Sequence, residues 1–205
     1  KGLDRIYNNF VYDFLYPNPA SVLAFIENHD TDRFLGEGNN LPMLKQASTL
    51  LLTTRRIPQL YYGTEVMMNG VKSKSDGYVR KDFPGGWTGD ATNALTPAGR
   101  TKIQNECYDF YKTILNWRKG NDVIAKGSMV QFMVQNGVYA YARQYEGKTI
   151  FVMLNGTDAE TTVPLKFYKE ILKDSKQGKD ILSGKAITFG EELKMGPRES
   201  LVIEL

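Results

Sequence analysis

One cysteine and one histidine occur in 205 residues. Cys107 has no partner for a disulfide within the chain, and it falls among apolar residues of a helical pattern, where a free cysteine acts as a small buried hydrophobe. With His29 alone, a histidine-rich metal centre is excluded. Long apolar runs are lacking too. No stretch approaches the roughly 18 residues that span a bilayer, and Lys1-Gly2-Leu3-Asp4 has no signal-peptide core. Nor does charge of one sign dominate. The 26 Lys and Arg against 23 Asp and Glu leave a formal +3, and no basic cluster exceeds the pair Arg55-Arg56. Neither nucleic acid nor a membrane is therefore an expected partner.

What is present suits a globular chain. With 41% hydrophobic residues, it can bury a core in one large or two modest domains. Leu3, Ile6, Phe10 and Phe14 share one face of an amphipathic helix that nothing before it caps, so the expectation is a piece cut from a longer protein. Tyr16-Pro17-Asn18-Pro19 breaks that helix. The apolar run 21–26 then predicts a strand buried on both faces, ending in Glu27-Asn28-His29-Asp30. A helix is predicted over about 42–54, with Leu44, Ala47, Leu51 and Leu52 facing inward, followed by a second apolar run over 57–63. Strand, helix, strand is the order of βα units on a parallel sheet.

Residues 66–95 are rich in Gly, Asp, Lys and Asn without periodicity, which predicts a long loop of the functional kind. Thr96-Pro97 reads as the N-cap and first residue of a helix through Ile103, Cys107, Phe110, Tyr111, Ile114 and Leu115, ending near Gly120. Beyond about Val123 the pattern turns to short β-rich runs. Asn136-Gly137 between two of them is a hairpin signal, and 148–154, 161–165, 179–182 and 200–205 continue the series. Asn155-Gly156-Thr157 fits a glycosylation sequon, but Asn-Gly is first a turn former. The expected fold class is α/β plus all-β, divided into residues 1–120 and an antiparallel β-sandwich over 121–205.

Functional side chains gather at the C-terminal ends of parallel strands, which makes Asn28, His29 and Asp30 candidates. Position alone leaves open that Asp30 only caps a loop and His29 only packs. The motif Phe25-Ile26-Glu27-Asn28-His29-Asp30 resembles the segment that closes the seventh barrel strand in the α-amylase family of retaining glycosidases. Ile57-Pro58-Gln59-Leu60-Tyr61-Tyr62-Gly63-Thr64-Glu65 is similar to that family's eighth-strand segment, with Arg56 where the family has glycine. The loop Arg80-Lys81-Asp82-Phe83-Pro84-Gly85-Gly86-Trp87 is similar to the cyclomaltodextrinase and neopullulanase branch.

The resemblance implies the C-terminal part of a (β/α)8 TIM barrel, from about its sixth helix to its eighth, ahead of the β-sandwich. It implies hydrolysis of α-glucosidic bonds in cyclodextrins, pullulan or maltooligosaccharides. Retention of configuration needs a nucleophilic carboxylate and an acid about 5 to 5.5 Å apart. A third carboxylate can bind the distorted sugar more tightly in the transition state than in the ground state. By the family match Asp30 is that catalytic third carboxylate, His29 binds the same sugar ring, and Asn28 braces the strand end. Substrate contacts are implied for Arg33, Tyr62, Asp82 and Trp87, while Glu27, Asp32 and Glu65 are weaker candidates and one of Tyr61 and Tyr62 belongs to the barrel interior. Nucleophile and acid would lie upstream of Lys1, so the chain alone is expected to be inactive. Neither metal nor organic cofactor is implied within this chain; calcium braces relatives in regions outside it. α-Glucan oligosaccharides or polysaccharides are the implied partners, and unpaired strand edges admit a homodimer. The compartment stays open between periplasm and cytoplasm.

Two other readings use the same residues. A carbohydrate-binding or scaffold module would hold sugar without cleaving it. A metal-dependent phosphohydrolase using His29 and Asp30 would need several more histidines.

Overall fold

The computed structural model describes residues 2–205. Helix α1 (Gly2–Val11) packs Leu3, Ile6 and Tyr7 against the core. It tightens into a 3₁₀ turn at Tyr12–Leu15, which rotates the last residue of the predicted stripe, Phe14, into solvent. The same turn buries Asp13, whose carboxylate receives Arg55 Nη2 at 2.6 Å and the guanidinium of Arg56. Arg56 also donates to Pro19 O at 2.8 Å. Arg56 thus ties the end of α1 to the strand that follows α2.

Strand β1 (Leu23–Ala24) and strand β2 (Ile57–Pro58) flank helix α2 (Leu41–Thr53) and pair in parallel, Leu23 opposite Ile57 and Ala24 opposite Pro58. Both are shorter than the predicted runs. They are also not buried on both faces: Leu23, Phe25 and Ile57 are exposed, while Ile26 and Leu60 pack inward. Asn40 caps α2 by accepting from Met43 N at 3.1 Å.

Within residues 66–95 the chain forms one helical turn, α3 (Asp76–Val79), capped by Ser75. The next helix, α4 (Lys102–Arg118), starts later than the Thr96-Pro97 signal suggests. Pro97–Gly99 is a separate 3₁₀ turn, and the cap is Thr101, which forms a reciprocal box with Gln104. Helix α5 (Asp122–Lys126), capped by Asn121, then leads into the sheet.

Strands β3 (Ser128–Gln131), β4 (Val138–Tyr145) and β5 (Lys148–Asn155) form a meander. Asn136 (φ 50°) and Gly137 (φ 79°) take the paired positive angles of a type I′ hairpin turn, as the sequence predicts. Strand β6 (Thr161–Pro164) is followed by the short helix α6 (Lys169–Leu172) and by strands β7 (Gln177–Asp180), β8 (Ala186–Thr188), β9 (Glu192–Met195) and β10 (Ser200–Glu204). The main antiparallel sheet has the order β3-β4-β5-β10-β7-β8, and β6 pairs with β9 apart from it.

This arrangement is a lopsided sandwich. One face of the main sheet, with Tyr139, Tyr141, Val152 and Val202, packs on Leu44, Leu52, Cys107 and Ile114 of the helices. The other, with Ala140, Phe151, Met153 and Ile203, packs on Val163, Tyr168 and Met195. Covering both faces explains why β4 shows an unbroken apolar start, Val138-Tyr139-Ala140-Tyr141-Ala142, rather than alternation. Burial of each large apolar side chain contributes about 1.5–3 kcal/mol. Across the helix-sheet seam, the buried Arg143 donates to Thr53 O at 3.0 Å, Ile124 O and Gly127 O at 2.8 Å each, and Ser128 O at 3.2 Å.

Candidate functional site

The chain leaves β1 through a turn built by Asn28. Its Oδ1 accepts from Asp30 N at 2.8 Å, and its own N–H donates to Thr31 Oγ1 at 3.0 Å. Such a side-chain-closed turn frees the two intervening side chains from the backbone's needs. His29 and Asp30 accordingly face solvent, with side chains 59% and 58% exposed, and His29 Nε2 lies 3.2 Å from Asp30 Oδ2.

The other carboxylate oxygen, Asp30 Oδ1, receives Arg80 Nη2 at 2.9 Å, and Arg80 Nε donates to His29 O at 2.9 Å. Lys72 Nζ donates to Asp30 O at 3.0 Å. Asp76 lies between the two bases, 3.3 Å from Arg80 and 3.6 Å from Lys72. The result is an exposed patch of alternating charge, with both Asp30 oxygens engaged.

Beneath the turn lies a buried layer. Glu27 Oε2 accepts from Phe34 N at 2.5 Å, while Oε1 accepts from the Thr64 hydroxyl and from Arg33 Nη1 at 3.3 Å. Arg33 also donates to Tyr62 O at 2.7 Å and Val79 O at 3.1 Å, and its guanidinium stacks 4.0 Å from the Tyr61 ring centroid. Burial raises the pKa of the Tyr61 hydroxyl above its ordinary value.

The residues implied by the resemblance therefore divide. Asp30 and His29 come together on the surface. Arg33, expected at the sugar, instead lies wholly buried under the turn, where Glu27 and two carbonyls take its Nε and Nη1 donors while Nη2 has no hydrogen-bond partner among the described residues. Glu27 is buried with it. Tyr62 is partly exposed, with its hydroxyl bonded to Lys81 O at 2.6 Å; Asp82 and Trp87 are exposed on the loop that follows. The Trp87 turn is held by Asp90 Oδ2, which accepts from Trp87 N at 2.9 Å, and it needs Gly85 (φ 119°), where a Cβ would lie 2.4 Å from Asn93 Oδ1.

Sequence reasoning misses Lys72, whose only signal is the mixed charge of the long loop, and gives Arg80 no site role although it opens the quoted loop motif. Among the described residues no group of three or more His, Cys, Asp or Glu side chains could hold a metal ion, and no helix is long and apolar enough to cross a membrane. Cys107 is buried, donates to Thr64 O at 3.6 Å, and has its thiol pushed up to about 12 by burial, which makes it a poor nucleophile.

Residues 129–204 match the family model of the cyclo-malto-dextrinase C-terminal domain. An α-amylase of Niallia circulans is 29% identical over 197 residues, covering 92% of this chain and 32% of the relative. A cyclomaltodextrin glucanotransferase of Thermoanaerobacterium thermosulfurigenes is 30% identical over 188 residues, covering 88% of this chain and 24% of the relative. The chain thus spans between a quarter and a third of these relatives' length. In fold it is similar to the crystal structure of an α-amylase from Geobacillus thermoleovorans, with TM-score 0.74 and 23% identity over 97% of this chain and 42% of the other. The chain belongs to the α-amylase family, and its main sheet lies in a domain of the cyclo-malto-dextrinase C-terminal kind.

Proposed function

We propose that this chain supplies the transition-state-stabilising carboxylate, Asp30, to an enzyme that cleaves α-glucosidic bonds in starch-derived glucans by a retaining mechanism. The observation that carries the reading is the solvent-facing His29–Asp30 pair at the end of a parallel strand, inside a chain that aligns with α-amylases and cyclomaltodextrin glucanotransferases. Asn28 orients the turn. Asp30, held by Arg80 and His29, accepts hydrogen bonds from sugar hydroxyls that strengthen as the ring flattens toward an oxocarbenium ion. His29 donates to the same ring. Tyr62 and Trp87 offer exposed aromatic faces for pyranose stacking.

The parallel pair β1–β2 with its exposed apolar face supports reading residues 1–120 as the closing part of a (β/α)8 barrel, with 121–205 as the trailing domain. The match to the cyclo-malto-dextrinase C-terminal domain supports the cyclomaltodextrinase or neopullulanase branch. Nucleophile and general acid then belong to a longer protein, and the 205-residue chain alone is inactive.

The test is turnover of maltooligosaccharides, cyclodextrin and pullulan by the protein that carries this chain. Asp30→Asn is expected to lower kcat at least 100-fold, on the order of 2.7 kcal/mol of transition-state stabilisation. Unchanged kcat in that variant rules out the assigned role. The exposed Tyr62 and Trp87 also favour a second reading, a non-catalytic carbohydrate module. Glucan binding by the longer protein with no cleavage selects that one.

A further inference from the structure

Resting on the glycosidase reading, we infer that Glu27 and Arg33 act as one buried positioning pair for Asp30. Glu27 clamps the turn at its base: its Oε2 accepts from Phe34 N at 2.5 Å on the far side of His29 and Asp30. Through Oε1 it also takes the Thr64 hydroxyl, which joins the turn to the segment after β2. The turn cannot shift without breaking one of these bonds.

Arg33 completes a second route to the same carboxylate. Its Nε donates to Val79 O at 3.1 Å, and the next residue, Arg80, holds Asp30 Oδ1 at 2.9 Å. Nη1 donates to Tyr62 O at 2.7 Å, and the Arg33 backbone N–H donates to Gly70 O at 3.0 Å. The two routes form a closed circuit: from Glu27 along the turn to Asp30, and from Glu27 through Arg33, Val79 and Arg80 back to Asp30. Glu27 and Arg33 have almost no exposed surface, so neither is placed to meet sugar. Removing either leaves its buried partner charge uncompensated, which binds the two into one unit.

A carboxylate that acts only in the transition state is sensitive to placement; displacement by about 1 Å costs on the order of 100-fold in rate. A positioning role thus separates from two others. A sugar-contacting Arg33 would raise KM and leave kcat; a merely structural pair would lower the melting temperature and leave the kinetics of the folded enzyme intact.

The experiment measures kcat and KM on maltoheptaose, with thermal unfolding, for Glu27→Gln, Arg33→Lys and Thr64→Val in the full-length enzyme that carries this chain. Gln keeps the oxygen for Thr64 but presents an amide that cannot accept from Phe34 N, and Lys replaces the planar fork with one compact ammonium that cannot reproduce the separate Nε and Nη1 bonds of Arg33. The expected result is at least about a tenfold fall in kcat with KM within about twofold for the first two, and about a threefold fall for Thr64→Val. Thr64→Val removes one hydroxyl from the carboxylate and carries the test if the charged-pair variants do not fold. Unchanged kcat, or a raised KM with kcat kept, overturns the positioning role. Absence of turnover in the unsubstituted enzyme overturns the glycosidase reading and this role with it.

Discussion

Arg80 grips Asp30 from across the site, with Nη2 2.9 Å from the carboxylate and Nε 2.9 Å from the carbonyl of the preceding His29. Because both side chains are well exposed, solvent screening keeps the stability value of this ion pair below about 1 kcal/mol. Its value lies in geometry. Arg80→Met is expected to change the unfolding free energy by less than about 1 kcal/mol, while kcat/KM of the full-length enzyme on maltoheptaose falls at least about fivefold, in line with loss of a charge-assisted bond. Denaturant unfolding and steady-state kinetics on the same preparation check this. Equal kcat/KM in the two proteins would show that Arg80 does not serve the site.

Arg143 presents the opposite balance. Its guanidinium is buried with no carboxylate among its hydrogen-bond partners, only the carbonyls of Thr53, Ile124, Gly127 and Ser128, and burial lowers its pKa to about 10. Arg143→Met keeps most of the apolar stem and strands these acceptors, so a loss of about 3–5 kcal/mol is expected. Equilibrium denaturation in urea reads it directly. A loss under about 1 kcal/mol would mean that water reaches the seam between α2 and β4.

The start of α4 gives a matched pair. Thr101 caps the helix by accepting from Gln104 N at 3.3 Å, and the Gln104 side chain accepts from Thr101 N at 2.9 Å. Thr96 only donates to Asn93 O at 3.1 Å in an exposed turn. Thr101→Ala should destabilise the chain by about 1 kcal/mol and Thr96→Ala by a few tenths. Reversal of that order in thermal melts would contradict the capping assignment.

These two threonines also show what was legible. Thr96-Pro97 is the start signal read from the sequence, but the fold makes Pro97–Gly99 a separate turn, ties Arg100 to Asn105 and Ala94 O, and starts the helix at the Thr101–Gln104 box. The Asn136-Gly137 hairpin was readable because two backbone angles determine it locally. Strands β8 and β9 were not, since three or four residues with little apolar pattern pair only once β7 and β6 are in place. At the site, His29 and Asp30 were named from the resemblance and the strand end, and the structure places them side by side on the surface. Arg80 was given no role there, because 50 residues separate it from Asp30. Arg33 misleads because arginines are seldom fully buried; burial here depends on Glu27, whose carboxylate the sequence alone leaves unplaced.

The core predicts its own alkaline limit. Burial raises the Tyr111, Tyr139 and Tyr141 hydroxyls well above the usual phenol range, and raises Tyr168 and Cys107 to about 12 each. In the unfolded chain these groups ionise near their ordinary values, about 10 for tyrosine and about 8.5 for cysteine. Between those values and the raised ones the native state holds more protons than the unfolded state, so stability falls as pH rises. The contribution is complete below about pH 8.5 and lost progressively toward pH 12. Urea midpoints should therefore be level from pH 7 to about 8.5 and then decline. Tyr141 Oη meets Thr53 Oγ1 at 2.5 Å, and Thr53 keeps a second bond to Thr49 O at 2.6 Å, so Tyr141→Phe orphans no donor. It should cost about 1 kcal/mol at pH 7 and remove one of the groups responsible for the decline. The stabilities of the two proteins then converge above pH 10. A gap that stays constant from pH 7 to 11 would show that Tyr141 does not contribute to the alkaline limit.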